Sequence, residues 1–381
     1  MVASPALIAA WARSAVAPAG GAFKRLTAHE IGTPVLRELL QRANLRADAV
    51  DAVVLGNALG AGGNPARLLA LAAGLSERCA ALSVDTQCCA GLDAVSLAVG
   101  LLASGQASVV VAGGAEAWSR APLRMHRPLE PGEAPVAYER PQFAPPPWDD
   151  PNMLEAAAHY AARAGITREA QDTYAVQSHA RAMAGGPGTG AWPEIVAVAG
   201  LERDVYPRRL DVARAARMPA VVQAGADTAC AIGMLGISPR ADGAALVLLA
   251  TEAACTRLGL RPRARWLGGV SLGANPAIPL QAAGSAARDA LERCGLQAST
   301  LDAVELHDAF AVQGLAFARE LGLDPAQVNR HGGGIARGHP IGASGAIALV
   351  RLLTDLGDSG CGLAAVAGAG GIGAAALVRA T

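Results

Sequence analysis

The chain has 381 residues, 52% of them hydrophobic and 17% charged, with 32 basic and 32 acidic side chains and a formal net charge of zero. That is enough apolar material for a large core and enough length for two or three domains. The charge balance argues against a nucleic-acid or membrane-surface binder, and seven scattered cysteines without CxxC spacing fit reduced thiols in a cytoplasmic enzyme better than a disulfide framework or a zinc site.

No basic segment followed by an apolar run and a cleavage site opens the chain. Residues 7–11 read as a first strand and 17–21 as a small-residue loop. Residues 33–45 have the spacing of an amphipathic helix, with Leu36, Leu39 and Leu40 inward. A strand at 49–55 ends at Gly56-Asn57, and a glycine-rich loop, 60–64, leads into a helix at 66–73. Residues 81–84 are short and mostly apolar, the pattern of a buried strand. Cys88, Cys89, Ala90 and Gly91 follow, and then Leu92, Val95, Leu97, Ala98, Leu101 and Leu102 recur at helical spacing. The layout is strand, tight turn, buried helix, with a thiol at the turn. There the peptide dipoles present about half a positive charge, which lowers a thiol's pKa and raises its thiolate fraction. Two cysteines merely packing at a strand end are the alternative. Residues 94–115 carry no charge, but Gly105-Gln106 divides them into a helix and a strand, so no membrane span is expected. That strand, 109–112, is read as closed by Gly113-Gly114.

After Trp118 the character changes. Residues 122–151 are rich in proline and charge, with Pro145-Pro146-Pro147 the extreme, and cannot stay regular for long. Helices follow at 153–162 and after Thr167, a good N-cap; 185–190 reads as a loop. Residues 119–241 are therefore expected to be an insertion, given basic character by Arg203, Arg208, Arg209, Arg214 and Arg217, unless these form a solvated face. Apolar strands return at 244–250 and 264–272.

The second half then repeats the first. DAVVLGNAL at 51–59 resembles DAVELHDAF at 302–310; the offset, 251 positions, also relates helix 34–45 to 285–296 and Cys88 to His339. A helix and a glycine-stopped strand follow each (92–102 and 109–114; 343–353 and 363–371). A domain-scale duplication gives similar halves whose helix N-termini face one another, so the cysteine and the histidine are expected to meet across a pseudo-two-fold axis. In such a couple the imidazole takes the thiol proton and the sulfur attacks an acyl carbonyl. Backbone amides at helix starts and glycine loops hold the oxyanion. His331 is expected to be structural and Arg337 to be a surface or ligand-facing charge.

Ordered blocks along nearly the whole chain resemble the thiolase family: GNALGAGGNPAR (56–67), VDTQCCAGLDAV (84–95), VVVAGGAEAWSRAP (109–122), ITREAQDTYAVQSHARA (166–182), ELHDAFA (305–311), NRHGGGIARGHPIGASGA (329–346) and, more weakly, GLAAVAGAGGIGAA (362–375). The resemblance implies an α/β thiolase fold, two pseudo-two-fold related βαβαβαββ halves stacked as α-β-α-β-α layers with an inserted loop domain. It implies an N-terminal half of residues 1–118 plus 242–265, a CoA-binding insertion of 119–241 and a C-terminal half of 266–381. It implies acyl-CoA and CoA as substrates and partners, a homodimer or homotetramer, and no permanently bound cofactor. Cys88 falls on the acylated nucleophile and His339 on the GHP histidine that activates it. Ala309 and Phe310 fall on the pantetheine channel, Ser238 on a serine touching that arm, and Ala369 and Gly370 on the oxyanion-side glycine loop. Arg208 or Arg209 would meet the nucleotide phosphates. The departures are informative. The family's NEAF reads His307-Asp308-Ala309-Phe310, similar to the HDCF of sterol-carrier-type thiolases but without their cysteine, and the second catalytic cysteine of CxGGGxG is Ala367. His307, through a water, is the candidate replacement acid/base. Three functions are weighed: a thiolase making or cleaving a 3-ketoacyl-CoA, a thiolase-like enzyme of altered chemistry (acyl transfer to another nucleophile or decarboxylative condensation), and a non-catalytic CoA-thioester-binding subunit.

Overall fold

A computed structural model describes residues 6–60, 62–185, 192–226 and 228–381; the loop expected at 185–190 lies outside these but for Gly185. The first stretch runs β1 (Leu7–Ser14), β2 (Ala17–Pro18), α1 (Ala28–Arg42), β3 (Ala52–Gly56), α2 (Pro65–Ala73), β4 (Ala80–Val84), α3 (Ala90–Ala103) and β5 (Val109–Ala117). Then come β6 (Arg124–His126), β7 (Val136–Tyr138), α4 (Met153–Ala164), α5 (Arg168–Met183), β8 (Ile195–Val196), α6 (Val212–Ala215), β9 (Ala220–Val222) and β10 (Ile232–Gly233). The chain continues through β11 (Ala241–Ala250), α7 (Glu252–Leu258), β12 (Ala264–Gly273), α8 (Ala282–Cys294), β13 (Ala303–His307), α9 (Ala311–Leu321), α10 (Gly334–Arg337), α11 (Ser344–Asp355), β14 (Cys361–Gly368) and β15 (Ile372–Ala380).

Local chemistry sets these bounds. Helix α1 starts earlier than its apolar periodicity suggests, because Thr27 and Glu30 form a capping box; Glu30 accepts the Thr27 N–H at 2.8 Å. Thr167 caps α5 as expected, its hydroxyl accepting the Ala170 N–H at 3.2 Å. Strand β5 is not closed by Gly113-Gly114 but runs through them to Ala117. The glycines are there for space. A Cβ on Gly113 would lie 2.1 Å from the Ala245 oxygen, and one on Gly114 would lie 2.0 Å from the Gly342 oxygen.

The main sheet orders as β13-β14-β15-β12-β1-β11-β5-β3-β4. Its halves join where β1 meets β12, antiparallel, with Leu7 opposite Arg265. The first half contributes β1, β11, β5, β3 and β4, and the second contributes β12, β15, β14 and β13. The second-half counterpart of β4 shrinks to one parallel bridge, Val304 to Val328, because the chain there breaks into the Gly332–Gly334 turn. Strand β4, expected to be buried, is instead an edge with Leu82 44% exposed.

Helices α3 and α11 share one apolar cluster, in which Leu92 and Val95 pack with Ile347, Leu349 and Val366, so they form the middle layer. Helices α1 and α2 cover the outer face of the first half through Ile31, Leu36 and Leu69. Helix α8 and Phe317 of α9 cover the second. The segment between β5 and β11 is tied to both halves by buried charge. Arg13 pairs with Asp204 (2.7 Å) and Glu194 (3.1 Å), while Arg351 pairs with Glu194 and Asp355, both at 2.6 Å. Among the described residues no helix is long and apolar enough to cross a membrane.

Candidate active site

Cys88 sits in a single 3₁₀ turn, Gln87–Cys89, that opens into α3. The turn is tight enough to hold Gln87 at φ 49°. Of the two adjacent thiols, Cys89 is the packing residue: it is 1% exposed, with its Sγ set against the carbonyls of Val366 and Ile372. Cys88 stays partly exposed.

His339 comes from the other half, and its backbone is pinned on both sides. Its N–H donates to Pro239 O (2.7 Å), and its carbonyl accepts Trp118 Nε1–H (3.1 Å). The ring places Nε2 3.1 Å from Cys88 Sγ and Nδ1 2.7 Å from Ser344 Oγ. The Ser344 hydroxyl gives its proton to Pro340 O at 3.0 Å, so it accepts from His339 Nδ1–H. That fixes the tautomer: the Nε2 lone pair faces the thiol.

The electrostatics correct one expectation. Burial pushes the Cys88 thiol up to about 12, against the opposing pull of the Ala369 and Cys88 N–H groups, with Glu116 and Asp85 adding to the rise. Burial also holds His339 down to about 4. A helix terminus contributes about 0.3–1 kcal/mol, under one pKa unit, whereas burial moves a group by up to about 3–5 units; burial wins. Both shifts favour the uncharged forms, a thiol and a neutral imidazole.

His307 ends β13 and stacks on His339, with centroids 4.2 Å apart and planes 26° apart. Burial first, then repulsion from His339 when that ring is protonated and from the Arg337 charge, keep it well below the usual histidine range. Its Nε2 is buried without a hydrogen-bond partner in the described chain, so one imidazole nitrogen stays open beside the couple. The Ala369 N–H reaches Cys88 from the β14–β15 turn, which Gly370 (φ 81°) and Gly371 (φ 75°) make possible. With the Cys88 N–H it is one of two backbone donors directed at the Cys88 sulfur.

The remaining expected residues lie around this centre or apart from it. Ser238 is buried; its hydroxyl donates to Gly334 O (2.6 Å) and its N–H to Ala309 O (2.9 Å). Phe310 is buried and bridges to Ile237, while Ala309 is half-buried. Arg208 lies over the Tyr206 ring at 4.1 Å and its N–H meets His179, so its contacts are within the inserted segment; Arg209 beside it is exposed. Arg337, expected at the surface or facing ligand, is 4% exposed, pairs with Glu305 (3.3 Å) and bonds to Gly332 O. It braces the glycine turn under His307. Ala367 is the penultimate residue of β14 and Cys361 begins it, a separation of about 20 Å along a strand, so Cys361 does not reach the position the alanine leaves. Sequence reasoning missed Ser344, whose signal is its place in the first turn of the helix after His339, and Glu116, whose signal is a lone acid closing an otherwise apolar strand.

The family model for Thiolase, N-terminal domain matches residues 6–253, and that for Thiolase, C-terminal domain matches residues 260–380. An acetyl-CoA acetyltransferase of Pseudomonas aeruginosa is 38% identical over 97% of this chain and 98% of its own length. One of Rhizobium meliloti is 37% identical over 98% of each. Among solved structures, a Bacillus anthracis acetyl-CoA acetyltransferase superposes with a TM-score of 0.89 at 31% identity, covering 99% of both chains. The Acat5 thiolase of Ascaris suum, in complex with coenzyme A, gives 0.87 at 28% identity over 99% of this chain and 100% of its own.

Proposed function

This chain belongs to the thiolase family, and on that premise we propose that it is an acyl-CoA C-acyltransferase that cleaves or makes a 3-ketoacyl-CoA through an acyl-enzyme on Cys88. The observation that carries the reading is the 3.1 Å approach of Cys88 Sγ to a His339 whose tautomer is set by Ser344. Sulfur attacks the thioester or ketone carbonyl as His339 Nε2 takes the thiol proton, and the oxyanion meets the N–H groups of Cys88 and Ala369. The tetrahedral intermediate collapses to a Cys88 thioester, and the proton passes to the departing group. In cleavage, His339 then takes a proton from incoming CoA thiol, whose sulfur releases the acyl group from Cys88; in synthesis, the deprotonated α-carbon of a second acyl-CoA attacks the Cys88 thioester instead and expels the sulfur, which regains its proton.

Ser238, Ala309 and Phe310 are assigned to the pantetheine arm and Arg208 or Arg209 to the nucleotide phosphates, on the strength of family position. The reading uses no resident cofactor. We further assign residues 1–118 plus 242–265 and 266–381 to the two halves and 119–241 to a CoA-binding insertion, in a cytoplasmic homodimer or homotetramer. The exposed edge β4, with Leu68, Leu71, Leu82 and Leu97 uncovered, is the surface that suits a second copy.

A second reading rests on a specific observation: Ala367 and Ala309 occupy both family positions for the second cysteine. Losing a positioned acid/base typically costs about two to four orders of magnitude. Either His307, with its open Nε2, handles the α-proton through a water, or the chain performs acyl transfer or decarboxylative condensation instead. Incubation with acetoacetyl-CoA and CoA, with intact-mass analysis, separates these. Acetyl-CoA formation supports thiolysis; an acylated Cys88 without thiolysis supports the altered chemistry; the absence of both supports a non-catalytic CoA-thioester-binding subunit.

A further inference from the structure

The offset that relates Cys88 to His339 also relates Glu116 to Ala367. Where the second half carries a bare methyl, the first carries a carboxylate, 1% exposed, near the end of β5. One of its oxygens accepts Asn57 Nδ2–H at 2.8 Å. The other accepts the N–H groups of Ala58 (2.8 Å), Leu59 (3.3 Å) and Gly342 (3.0 Å). Residues 57–59 form the turn after β3. Gly342 belongs to the turn that starts the second half's central helix, three residues past His339. The contact has no slack: a Cβ on Gly342 would fall 2.7 Å from Asn57 Cα.

We propose that Glu116 is a positioning residue for the reaction: from the first half it grips the Gly342 amide and so holds the turn bearing His339 at bonding distance from Cys88. The proposal rests on Cys88 and His339 being the working pair. Its physical basis is donor count. Four N–H groups converge on the carboxylate, and an ionised carboxylate alone accepts them all. A protonated carboxyl or an amide sets a donor against a donor and loosens the turn.

The supporting electrostatics give the test its sign. Burial raises Glu116 to about 7, against the pull of those N–H groups, so it changes charge near neutral pH. Facing it are the Cys88 thiol and, across a small cleft, Arg120; α1 lines that cleft with Thr27 and Ala28. Charge alone acts oppositely to position. Ionised Glu116 disfavours a thiolate at Cys88, so without a positioning role its protonation would make Cys88 more reactive.

The experiment follows alkylation of Cys88 by iodoacetamide, mapped by peptide mass, in wild type, Glu116→Gln and Glu305→Gln between about pH 6 and 8.5. Alkylation needs no thioester, so a wrong choice of substrate leaves it untouched. The wild-type rate should exceed that of Glu116→Gln by about tenfold or more above pH 8, and the ratio should collapse toward one near pH 6. Glu305, also raised to about 7 but paired with Arg337, controls for the other group in that window, and its variant should show no such collapse. A ratio that stays constant with pH, equal rates, or a faster Glu116→Gln at high pH overturns the proposal. Should Glu116→Gln not fold, Glu116→Asp, charged but shorter, should still slow alkylation about tenfold near pH 8; an unchanged rate there overturns it equally.

Discussion

The turn at 86–93 and the turn at 337–344 are one structure used twice. Each carries a short 3₁₀ segment that opens into a buried central helix, with Cys88 inside the first (Gln87–Cys89) and His339 just ahead of the second (Ile341–Ala343), and each sets its reactive side chain five residues before a buried polar one: Cys88 before Asp93, His339 before Ser344. The polar partners diverge. Ser344 faces the catalytic ring and fixes its tautomer. Asp93 turns back on its own turn and accepts the Thr86 hydroxyl at 2.6 Å. The duplication supplies two equivalent places, and side-chain identity divides the labour between them. On the proposed mechanism the second half keeps the base and what orients it, and the first keeps the nucleophile and a carboxylate, Glu116, that reaches across.

The comparison can be broken from its strongest point downward. Cys88→Ala removes the acyl acceptor and should lower turnover by roughly four orders of magnitude or more in a spectrophotometric thiolysis assay. His339→Ala leaves the sulfur without a base in a site that holds its pKa near 12; acylation, followed by quench and mass analysis, should slow about a thousandfold. Ala367→Cys places a thiol opposite the Glu116 position. If the α-proton step limits the natural enzyme, thiolysis of acetoacetyl-CoA should rise about tenfold to a hundredfold. Ser344→Ala frees the His339 tautomer and should cost about tenfold to a hundredfold in kcat with little change in KM.

The mildest change sharpens the contrast. Asp93→Asn, at the counterpart of Ser344, should leave acylation within about twofold. Burial raises Asp93 above its ordinary value, so the folded state binds its proton more tightly than the unfolded chain does. Its contribution therefore favours the fold below the unfolded carboxylate range and is lost as pH rises through the raised folded value. Urea melts across that range should show the pH dependence in wild type and its reduction in Asp93→Asn.

Much of this was legible in the residues. One offset shared by separate segments placed Cys88 opposite His339 before any coordinates, because duplicated βα units must bury the same faces. Apolar periodicity found α2, α4 and the central helices. What escaped depends on approach between distant backbones. Gly113 and Gly114 read as a strand stop, since a sequence does not show that Ala245 and Gly342 press against them. Leu82 read as buried, because an edge strand and a covered one share an apolar pattern. Arg337 reads as a surface or ligand-facing charge because its partner, Glu305, lies on another element. The thiol's pKa shifts opposite to the direction that helix placement alone implies, since the dipole is visible in the sequence and burial is not.

The most direct measurement is the site and rate of acylation by acetyl-CoA, read by peptide mass mapping in wild type and in His339→Ala. An acetyl group confined to Cys88 in the wild type, and slowed about a thousandfold without the imidazole, is the predicted result. Acetylation at another residue, or at Cys88 with unchanged speed in His339→Ala, would contradict the account of a sulfur from one half served by a base from the other.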